Sequence, residues 1–495
     1  MSKKKPNIIL IMADQMSADS LGVYGNLVVK SPFIDALGES GNVFDSCYCA
    51  SPVCAPSRGG MMAGILPSQI GIFDNGSEFP ASVPTFVHFL RSVGYHAVAS
   101  GKLHFVGPDQ LHGFETRLTT DIYPAGFNWT PADWIEGIQR NKGASARAIL
   151  DSGICLRSLQ IDYDEAVQFH ALQFLYDQAR QKDSPPFFFM ISYTHPHDPF
   201  YITEEYWNRY RAEDIDLPVV PALSFKRMHP YDQWLHYHHE IDLYEIRTEH
   251  VINARRAYYG MISYVDDKIG QIMDTLALTG LKDDTIIIFT SDHGEMLGER
   301  GTWYKRSFYE RSAKVPLIIT GPGLKSKRIE SPRSLLDVFP TILDVANIPT
   351  PPALNDTFGR SLFDLEKRSI ISEYLGEGVM QPCRMLRDGP WKYVYTHTYP
   401  DQLFNIEKDP FELKNCAEEP EFEEITLQFR KTLLSGWNPD NERARVITSQ
   451  KRRRFIKEAI KTGRTPSWDY EPERSQSLTY VRDADAQETS SRNRL

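Results

Sequence analysis

Short, almost uninterrupted apolar runs recur along this 495-residue chain and constrain its fold more than any other feature. Four of them begin at Asn7 (NIILIMA), Pro186 (PFFFMISY), Thr285 (TIIIFTS) and Val315 (VPLIIT). Runs of this kind are typical of strands that are buried on both faces of a sheet. A clear helical pattern covers Val251 to Leu276, where apolar residues recur every three or four positions. The sequence therefore predicts an α/β fold with a large mixed, mostly parallel sheet sandwiched by helices.

The character of the sequence changes near residue 371. Short strand patterns with turns follow (SIISEYLGEG, then WKYVYTHTYPDQLFN), and a helical pattern comes after them, which is typical of a small α+β unit. After about residue 437 the chain becomes strongly charged (KRRRFIKEAIKTGR) and then polar. We therefore expect a main domain over residues 1–370, an α+β subdomain over 371–436, and a C-terminal helix with an extended tail over 437–495.

Charge and cysteine content argue against several classes of function. The 65 acidic and 55 basic residues give a net charge of −10, which disfavours nucleic acid as a partner. The six cysteines are scattered and too few for a disulfide framework, so we expect a cytoplasmic protein with free thiols. No apolar stretch is long enough to span a bilayer, and the first one is too short for a secretory signal. We therefore expect no membrane partner.

Two of the predicted strand ends carry ligands for a hard metal ion. Asp14 and Gln15 follow the first apolar run, and Asp292 with His293 follows the run that begins at Thr285. In doubly wound sheets, functional residues gather at the carboxyl ends of strands. Carboxylates with one imidazole suit Ca²⁺, Mg²⁺ or Mn²⁺. An aspartate at a strand end often only caps a helix, but two such ends in one chain favour a metal centre.

Cys54 stands in the segment SPVCAPSRGG, where Pro56 suits the first turn of a helix. The free backbone N–H groups and the dipole at a helix N-terminus favour an anion. Arg58, one turn further on, adds a bidentate cation of the kind that sulfate and phosphate prefer. The same surroundings would lower the pKa of a thiol, so a directly nucleophilic cysteine is an open alternative to an oxyanion site.

Cationic side chains follow further predicted strands. Lys102 and His104 end the segment GYHAVASGKLH, and His195 with His197 follows PFFFMISY in THPHDP. Lys305 comes shortly after the second pair of metal ligands. Each of these residues alone is more often a surface or core residue than a catalytic one. Their joint occurrence at strand ends predicts one site that handles an anion.

Three of these segments resemble signatures of the type I sulfatases of the alkaline phosphatase superfamily: CAPSR, GYHAVASGKLH and SDHGEMLGERG. The resemblance runs from Asn7 to about Ala417 and implies an alkaline phosphatase-like fold. It also implies that a formylglycine-generating enzyme converts Cys54 to Cα-formylglycine, and that one divalent metal ion is bound, Ca²⁺ ahead of Mn²⁺ or Mg²⁺. One hydroxyl of the hydrated aldehyde would attack sulfur, and deprotonation of the other would expel sulfate.

The resemblance assigns a role to each candidate residue. As metal ligands it implies Asp14, Gln15, Asp292, His293 and the modified Cys54. As catalytic groups it implies Arg58 and Lys102 to hold the diol, His104 as the base for its collapse, and His197 with Lys305 at the leaving alcohol or the sulfate. Gln15 replaces the second aspartate that is common in the family. His195 is the alternative candidate for the role assigned to His197.

A further resemblance concerns the substrate. The stretch SGKLHFVGPDQLHGFETRLTTDIYPAGFNWTP is very similar to the choline sulfatases, as are DNGSEFPASVPTF and PSWDYEPE. It implies choline O-sulfate as the substrate, with Trp129 and Glu377 as the aromatic face and carboxylate for the quaternary ammonium. It also implies a homodimer or homotetramer through the tail, with Asp483 or Asp485 entering a neighbouring site. One departure follows Trp129. Where choline sulfatases have an aromatic segment that ends in a His-Asn pair, this chain has ADWIEGIQRNKGASARAILDSGICLRS.

Several alternatives remain at this point. The enzyme could act on another alkyl or aryl sulfate, or it could be a phosphonate monoester or phosphodiester hydrolase of the same fold. The latter should need extra cationic groups around the pocket. A non-catalytic anion-binding protein is disfavoured, because the positions of nucleophile, base and metal ligands are all filled. A hydrolase that uses the thiol directly would differ from a sulfatase in the mass of the peptide around residue 54.

Overall fold

The computed structural model of the chain describes residues 5–181, 184–349, 359–465 and 467–473. The strands in these residues are β1 Asn7–Ala13, β2 Asn42–Phe44, β3 Cys47–Tyr48, β4 His96–Gly101, β5 Thr116–Arg117, β6 Gly153–Ile154, β7 Phe187–Ser192, β8 Tyr201–Ile202, β9 Thr285–Ser291, β10 Lys314–Val315, β11 Leu317–Thr320, β12 Lys327–Ile329, β13 Arg333–Ser334, β14 Ile370–Tyr374, β15 Cys383–Asp388, β16 Trp391–Thr396 and β17 Gln402–Asn405.

The α-helices lie between and after these strands. In chain order they are α1 Pro32–Ser40, α2 Cys54–Ala63, α3 Pro67–Ile70, α4 Phe86–Ser92, α5 Arg147–Leu150, α6 Leu159–Arg180, α7 Glu204–Trp207, α8 Pro230–His238, α9 Thr248–Leu278, α10 Glu310–Ala313, α11 Val338–Val345, α12 Glu423–Leu434 and α13 Pro439–Ile460. Among the described helices, none combines the length and the apolar character needed to cross a membrane.

The main sheet has eight strands in the order β12-β2-β11-β9-β1-β7-β4-β5. Its centre is parallel, because β1 pairs in parallel with both β7 and β9, and β4 pairs in parallel with β7. Strand β11 runs antiparallel to β9 and β2. The four apolar runs form β1, β7, β9 and β11, and the long helical pattern forms α9. The predicted large mixed, mostly parallel sheet is therefore confirmed.

Both faces of the central strands are buried, which explains their unbroken apolar sequences. In β1, Ile8 and Leu10 belong to one apolar core together with residues of α2, α4 and α11. Ile9 and Ile11 belong to a second core together with residues of α1, α6 and α9. Because successive side chains of a strand point to opposite faces, these two cores are the two layers of helices on the sheet.

A separate antiparallel sheet follows, with the order β14-β15-β16-β17. Its residues Met385 and Tyr393 pack in the same apolar core as Ile8 of the main sheet, and Phe429 and Leu433 of α12 join them. The expected smaller C-terminal α+β unit is therefore present and is packed on the main sheet. The domain boundaries expected after residues 370 and 436 stay predictions.

A buried group of charges joins the second sheet to the main body. Lys392 of β16 lies 2.7 Å from Glu310 of α10 and 2.6 Å from Glu412, measured from Nζ to the nearer carboxylate oxygen. Tyr48 of β3 donates its hydroxyl to Glu310 over 2.9 Å. Burial alone would raise the pKa of Glu310, but the charges of Lys392, Lys314 and neighbouring Arg387 bring it down to about 2. Lys392 thus pairs with two buried carboxylates, and Lys314 adds further positive charge beside Glu310.

The substitution Lys392→Met should lower the free energy of unfolding by about 3–5 kcal/mol, because both carboxylates lose their shared counter-charge while remaining buried. Urea denaturation followed by circular dichroism measures this change. The matched control is Lys414→Met, which removes an exposed ion pair with Glu419 and should alter stability only slightly. Equal losses of unfolding free energy in the two variants would contradict the role of Lys392 as the counter-charge of both carboxylates.

Candidate active site

Four buried side chains meet at the carboxyl ends of β1 and β9. Asp14 directly follows β1, Asp292 and His293 directly follow β9, and Cys54 is the first residue of α2. One potential ligand atom from each residue lies within 4.8 Å of all the others. Because β1 and β9 are adjacent parallel strands, their carboxyl ends lie side by side. The structure therefore brings together the two strand ends that the sequence singled out.

This group of four, hereafter the metal quartet, suits a hard divalent cation. Two carboxylates and an imidazole are ligands that Ca²⁺, Mn²⁺ and Mg²⁺ sites use. Cys54 Sγ lies 3.1 Å from His293 Nε2 and 4.0 Å from Asp14 Oδ1, so residue 54 shares the same space. A cation held by Asp14, Asp292 and His293 would place positive charge beside the reacting group of residue 54.

The local environment of Cys54 favours negative charge. The helix α2 begins at this residue, as the sequence predicted, and its residue Ala55 donates its N–H to Asn75 Oδ1 over 3.0 Å. Burial would raise the pKa of the Cys54 thiol, but the positive charges of Lys102, Lys305 and His293 hold that pKa well below its ordinary value. An anion is therefore stabilised at the position of Sγ.

Arg58 forms hydrogen bonds to both carboxylates of the metal quartet. Its Nε donates to Asp292 Oδ2 over 2.8 Å, and its Nη2 donates to Asp14 Oδ2 over 3.0 Å. Its Nη1 donates to the Lys102 carbonyl over 2.6 Å and to Ser192 Oγ over 2.9 Å. Lys102 also forms an ion pair with Asp14. Arg58 therefore orients the metal ligands, and the role on the diol that the resemblance implies stays a prediction.

Gln15 lies beside the metal quartet, but its side chain forms hydrogen bonds to residues outside the quartet. Its Nε2 donates to Glu295 Oε2 over 2.5 Å and to Asp198 Oδ1 over 3.2 Å. Its Oε1 accepts a hydrogen bond from Lys305 Nζ over 2.5 Å. Its backbone N–H donates to Asp292 Oδ1 over 3.1 Å. The ligand role of Gln15 therefore stays a prediction, and it requires Oε1 to exchange Lys305 for the metal ion.

Of the two histidines after β7, His197 is the one directed to the site. Its Nε2 lies 2.5 Å from Lys305 Nζ and 4.0 Å from Asp14 Oδ1. His195 is fully buried, its Nδ1 lies 2.7 Å from Asp164 Oδ2, and its ring lies 4.9 Å from that of Tyr264. His195 is therefore paired with Asp164, and its role as the alternative candidate to His197 stays a prediction.

His104 follows β4 with a positive φ of 58°, and its backbone N–H donates to Asp121 Oδ2 over 2.9 Å. Neither ring nitrogen makes a hydrogen bond of ordinary geometry to a described residue. The ring is nevertheless close enough to Cys54 to contribute to the lowered pKa of the thiol, after the charged groups named above. The imidazole of His104 therefore lies beside residue 54, and its role as the base for collapse of the diol stays a prediction.

An aromatic wall borders the site beside His104. The ring of Tyr123 lies 4.4 Å from that of Trp129 and 4.9 Å from that of His104, and Lys102 Nζ lies 4.2 Å from the centre of the Tyr123 ring. Trp129 keeps 41% of its surface exposed. Sequence reasoning missed Tyr123, although it stands in the stretch TTDIYPAGFNW that also supplies Trp129.

Glu377 is linked to the first turn of α2 through Asn75. Its Oε1 accepts hydrogen bonds from Arg306 Nη2 over 3.1 Å and from Asn75 Nδ2 over 3.2 Å. Its Oε2 is buried and has no hydrogen-bond partner among the described residues. Burial raises the pKa of this carboxyl, against the charge of Arg306. Asn75, which sequence reasoning also missed, joins Glu377 to Ala55 in the first turn of α2.

Comparison with known families decides the identity of this site. A family model described as "Sulfatase" matches residues 6–348. The chain belongs to the sulfatase family. Models described as "N-sulphoglucosamine sulphohydrolase, C-terminal" and "Choline sulfatase enzyme C terminal" match residues 298–437 and 444–492 of this sulfatase.

Individual relatives agree with the family. A choline-sulfatase of Rhizobium meliloti (strain 1021) is 39% identical over 97% of this chain and 96% of its own length. Arylsulfatase K of Danio rerio is 30% identical over 88% of this chain and 84% of its own length. A phosphonate monoester hydrolase structure from Agrobacterium radiobacter superposes with a TM-score of 0.71 at 25% identity, covering 89% of this chain and 96% of its own.

These findings confirm that the protein is a sulfuric ester hydrolase with the alkaline phosphatase-like fold of the sulfatases. The sulfatase family implies a metal ion in general, and the metal quartet is a group of side chains that could hold one. The individual catalytic roles assigned by resemblance stay predictions.

The substitution Asp292→Asn tests the metal quartet. It should weaken divalent metal binding by more than the roughly 10–100-fold typical of residues that only hydrogen-bond to ligands, because it removes a ligand charge. Metal content after dialysis, measured by inductively coupled plasma mass spectrometry, checks this. Asp283→Asn, at an exposed position just before β9, is the control. Equal metal content in both variants would contradict the site.

Proposed function

We propose that this sulfatase hydrolyses choline O-sulfate to choline and sulfate, through a formylglycine derived from Cys54 and a divalent metal ion. The observation on which the choice of substrate rests is the Oε2 atom of Glu377. It is a buried carboxylate oxygen without a hydrogen-bond partner among the described residues, and it borders the site together with the partly exposed ring of Trp129. A buried carboxylate oxygen without a partner is costly unless a ligand compensates it.

A quaternary ammonium supplies that compensation. It has no N–H to donate, so it is recognised by an aromatic face and by a negative charge. Trp129 provides the face, and Glu377 provides the charge. The 39% identity to the choline-sulfatase of Rhizobium meliloti and the match of residues 444–492 to a choline sulfatase C-terminal model support the same substrate.

The residues around Cys54 suit the two proton transfers of sulfuryl transfer. The hydrate of a formylglycine at residue 54 would supply one hydroxyl to attack sulfur, with cleavage of the bond between sulfur and the leaving alcohol oxygen. Loss of the proton from its second hydroxyl would then break the carbon–oxygen bond to sulfate and restore the aldehyde. His197, with Lys305 at 2.5 Å from its Nε2, would protonate the oxygen of the leaving alcohol. His104 would accept the proton of the second hydroxyl, and the charge of Lys102 would stabilise the negative oxygens.

Further parts of the proposal concern cofactors, maturation and assembly. The oxygen-rich ligand set supports Ca²⁺, with Mn²⁺ or Mg²⁺ as alternatives. The CAPSR segment supports maturation of Cys54 by a formylglycine-generating enzyme. The other five cysteines, all described by the structure, are free thiols, which supports a cytoplasmic location. We also propose a homodimer or homotetramer formed through residues 437–495. Asp483 and Asp485, the tail residues considered for a neighbouring site, lie outside the described residues.

Choline sulfate should be hydrolysed with a kcat/KM roughly 30-fold above that of 3,3-dimethylbutyl sulfate, because recognition of a desolvated cation contributes about 2 kcal/mol. The second ester is an isostere whose head group is uncharged, and it is called the neutral isostere or neutral ester for that reason. The enzyme is co-expressed with a formylglycine-generating enzyme, and the peptide around residue 54 is checked for the mass decrease that conversion causes. Equal rates for the two esters would exclude choline recognition. A faster rate on a phosphonate monoester would favour the phosphonate hydrolase alternative.

Glu377→Gln and Trp129→Ala should each lower kcat/KM for choline sulfate by about tenfold or more, while changing that for the neutral isostere much less. The reason is that both side chains act on the ammonium group and not on sulfur. The isostere therefore serves as the internal control in each variant. A parallel loss on both esters would assign these residues to folding or to sulfuryl transfer instead.

A further inference from the structure

The loop of residues 73–77, hereafter the spacer loop, contacts both backbone segments that carry the side chains assigned to the ammonium group by the proposed function. On one side, Asn75 donates to Glu377, and a Cβ added to Gly376 would lie 2.8 Å from the carbonyl oxygen of Phe73. On the other side, a Cβ added to Gly76 would lie 2.7 Å from the carbonyl carbon of Trp129. The spacer loop therefore sets the separation between Glu377 and Trp129.

A buried ion pair holds the spacer loop. Arg453 of α13 donates from Nη1 and Nη2 to the two carboxylate oxygens of Asp74, each over 2.7 Å. The side chains of Asp74 and Arg453 are 0% and 5% exposed. Asp74 Oδ1 also accepts from the N–H of Gly76 over 2.9 Å and from Ser77 Oγ over 3.1 Å. Two parallel charge-assisted bonds fix direction as well as distance.

The same guanidinium also contacts the chain segment that carries Trp129 of the aromatic wall. Arg453 Nη1 donates to Thr130 Oγ1 over 3.1 Å, one residue beyond Trp129. One side chain of α13 thus contacts both the spacer loop and the segment that carries the aromatic ring. Its two contacts fix the spacer loop and the wall relative to each other.

Other C-terminal residues bind the rest of that segment. Gln450 Oε1 accepts from the N–H of Trp134 over 3.2 Å, and Asp469 Oδ1 accepts from the N–H of Ala125 over 2.8 Å. Lys457 Nζ donates to the Asn128 carbonyl over 2.9 Å, and the ring of Trp468 packs edge-on against Phe127 at 5.3 Å. The wall is therefore anchored at both ends by residues beyond the second sheet.

We propose that Arg453 is a positioning residue that makes the enzyme selective for sulfate esters with a cationic head group, by fixing the distance between Glu377 and Trp129 through Asp74. The inference rests on the proposed function, because it concerns the pocket for the ammonium group. Without the guanidinium, the Asp74 carboxylate is buried without a counter-charge, and the spacer loop must move to hydrate it. Trp129 and Glu377 then no longer contact the same ammonium group at once.

The test is the ratio of kcat/KM for choline sulfate to that for 3,3-dimethylbutyl sulfate. In Arg453→Gln this ratio should fall by about tenfold, mainly through a higher KM for choline sulfate, with kcat on the neutral ester within about twofold of the wild type. Arg453→Lys should give an intermediate ratio, because an ammonium cannot make the two parallel bonds. Arg452→Gln, at an exposed position of the same helix, is the matched control and should leave the ratio unchanged.

Inhibition by choline gives a second measurement of binding of the ammonium group, and it does not require hydrolysis of choline sulfate. The inhibition constant of choline against hydrolysis of the neutral ester should rise in Arg453→Gln by the same factor as KM for choline sulfate. A folded Arg453→Gln enzyme with an unchanged ratio would overturn the proposal, as would equal losses on both esters. If Arg453→Gln does not fold, Arg453→Lys and Thr130→Val carry the test, and unchanged ratios in both would overturn it.

The wild-type enzyme separates this inference from the proposed function. If the wild type does not prefer choline sulfate to its neutral isostere, the proposed function fails, whatever the variants do. If the wild type shows the preference and the Arg453 variants keep it, only the positioning role fails.

Discussion

The charge of two carboxylates at the ends of adjacent parallel strands is the constraint on which this active site depends. Asp14 and Asp292 are fully buried, and such groups are costly unless they are paired and hydrogen-bonded. Arg58 of α2 bonds to both of them, and Lys102 at the end of β4 pairs with Asp14. Neutralising the two carboxylates therefore brings the helix that begins with Cys54 and a third strand end to one point.

The group of residues around Cys54 (the proposed reaction centre) and the proposed substrate pocket are built from different kinds of structure. The reaction centre lies at the ends of strands whose both faces are buried, so its geometry is set by the sheet. The pocket walls are loops, and they are held by the C-terminal helix through Arg453 and by the side chain of Asn75. Such walls can vary among relatives with different substrates while the strand ends remain in place.

Most of the reaction centre was predictable from the sequence, because each of its residues follows a recognisable strand or opens a recognisable helix. The exceptions have physical reasons. His195 and His197 are two positions apart, and only packing decides that His195 is directed to Asp164 while His197 is directed to Lys305. The position of Gln15 was evident, but its bonding to Glu295 depends on a residue far along the chain.

The sequence by itself determined the sheet and the chemistry at its edge, because a doubly buried strand needs an unbroken apolar run and its carboxyl end faces the site. Only the tertiary structure decided which distant groups meet there: Tyr123 with Lys102, Asn75 with Glu377, and Arg453 with Asp74. The last of these pairs spans 379 positions of the chain. No local pattern of residue types encodes such a pairing, because the folded backbone alone brings its partners within reach of each other.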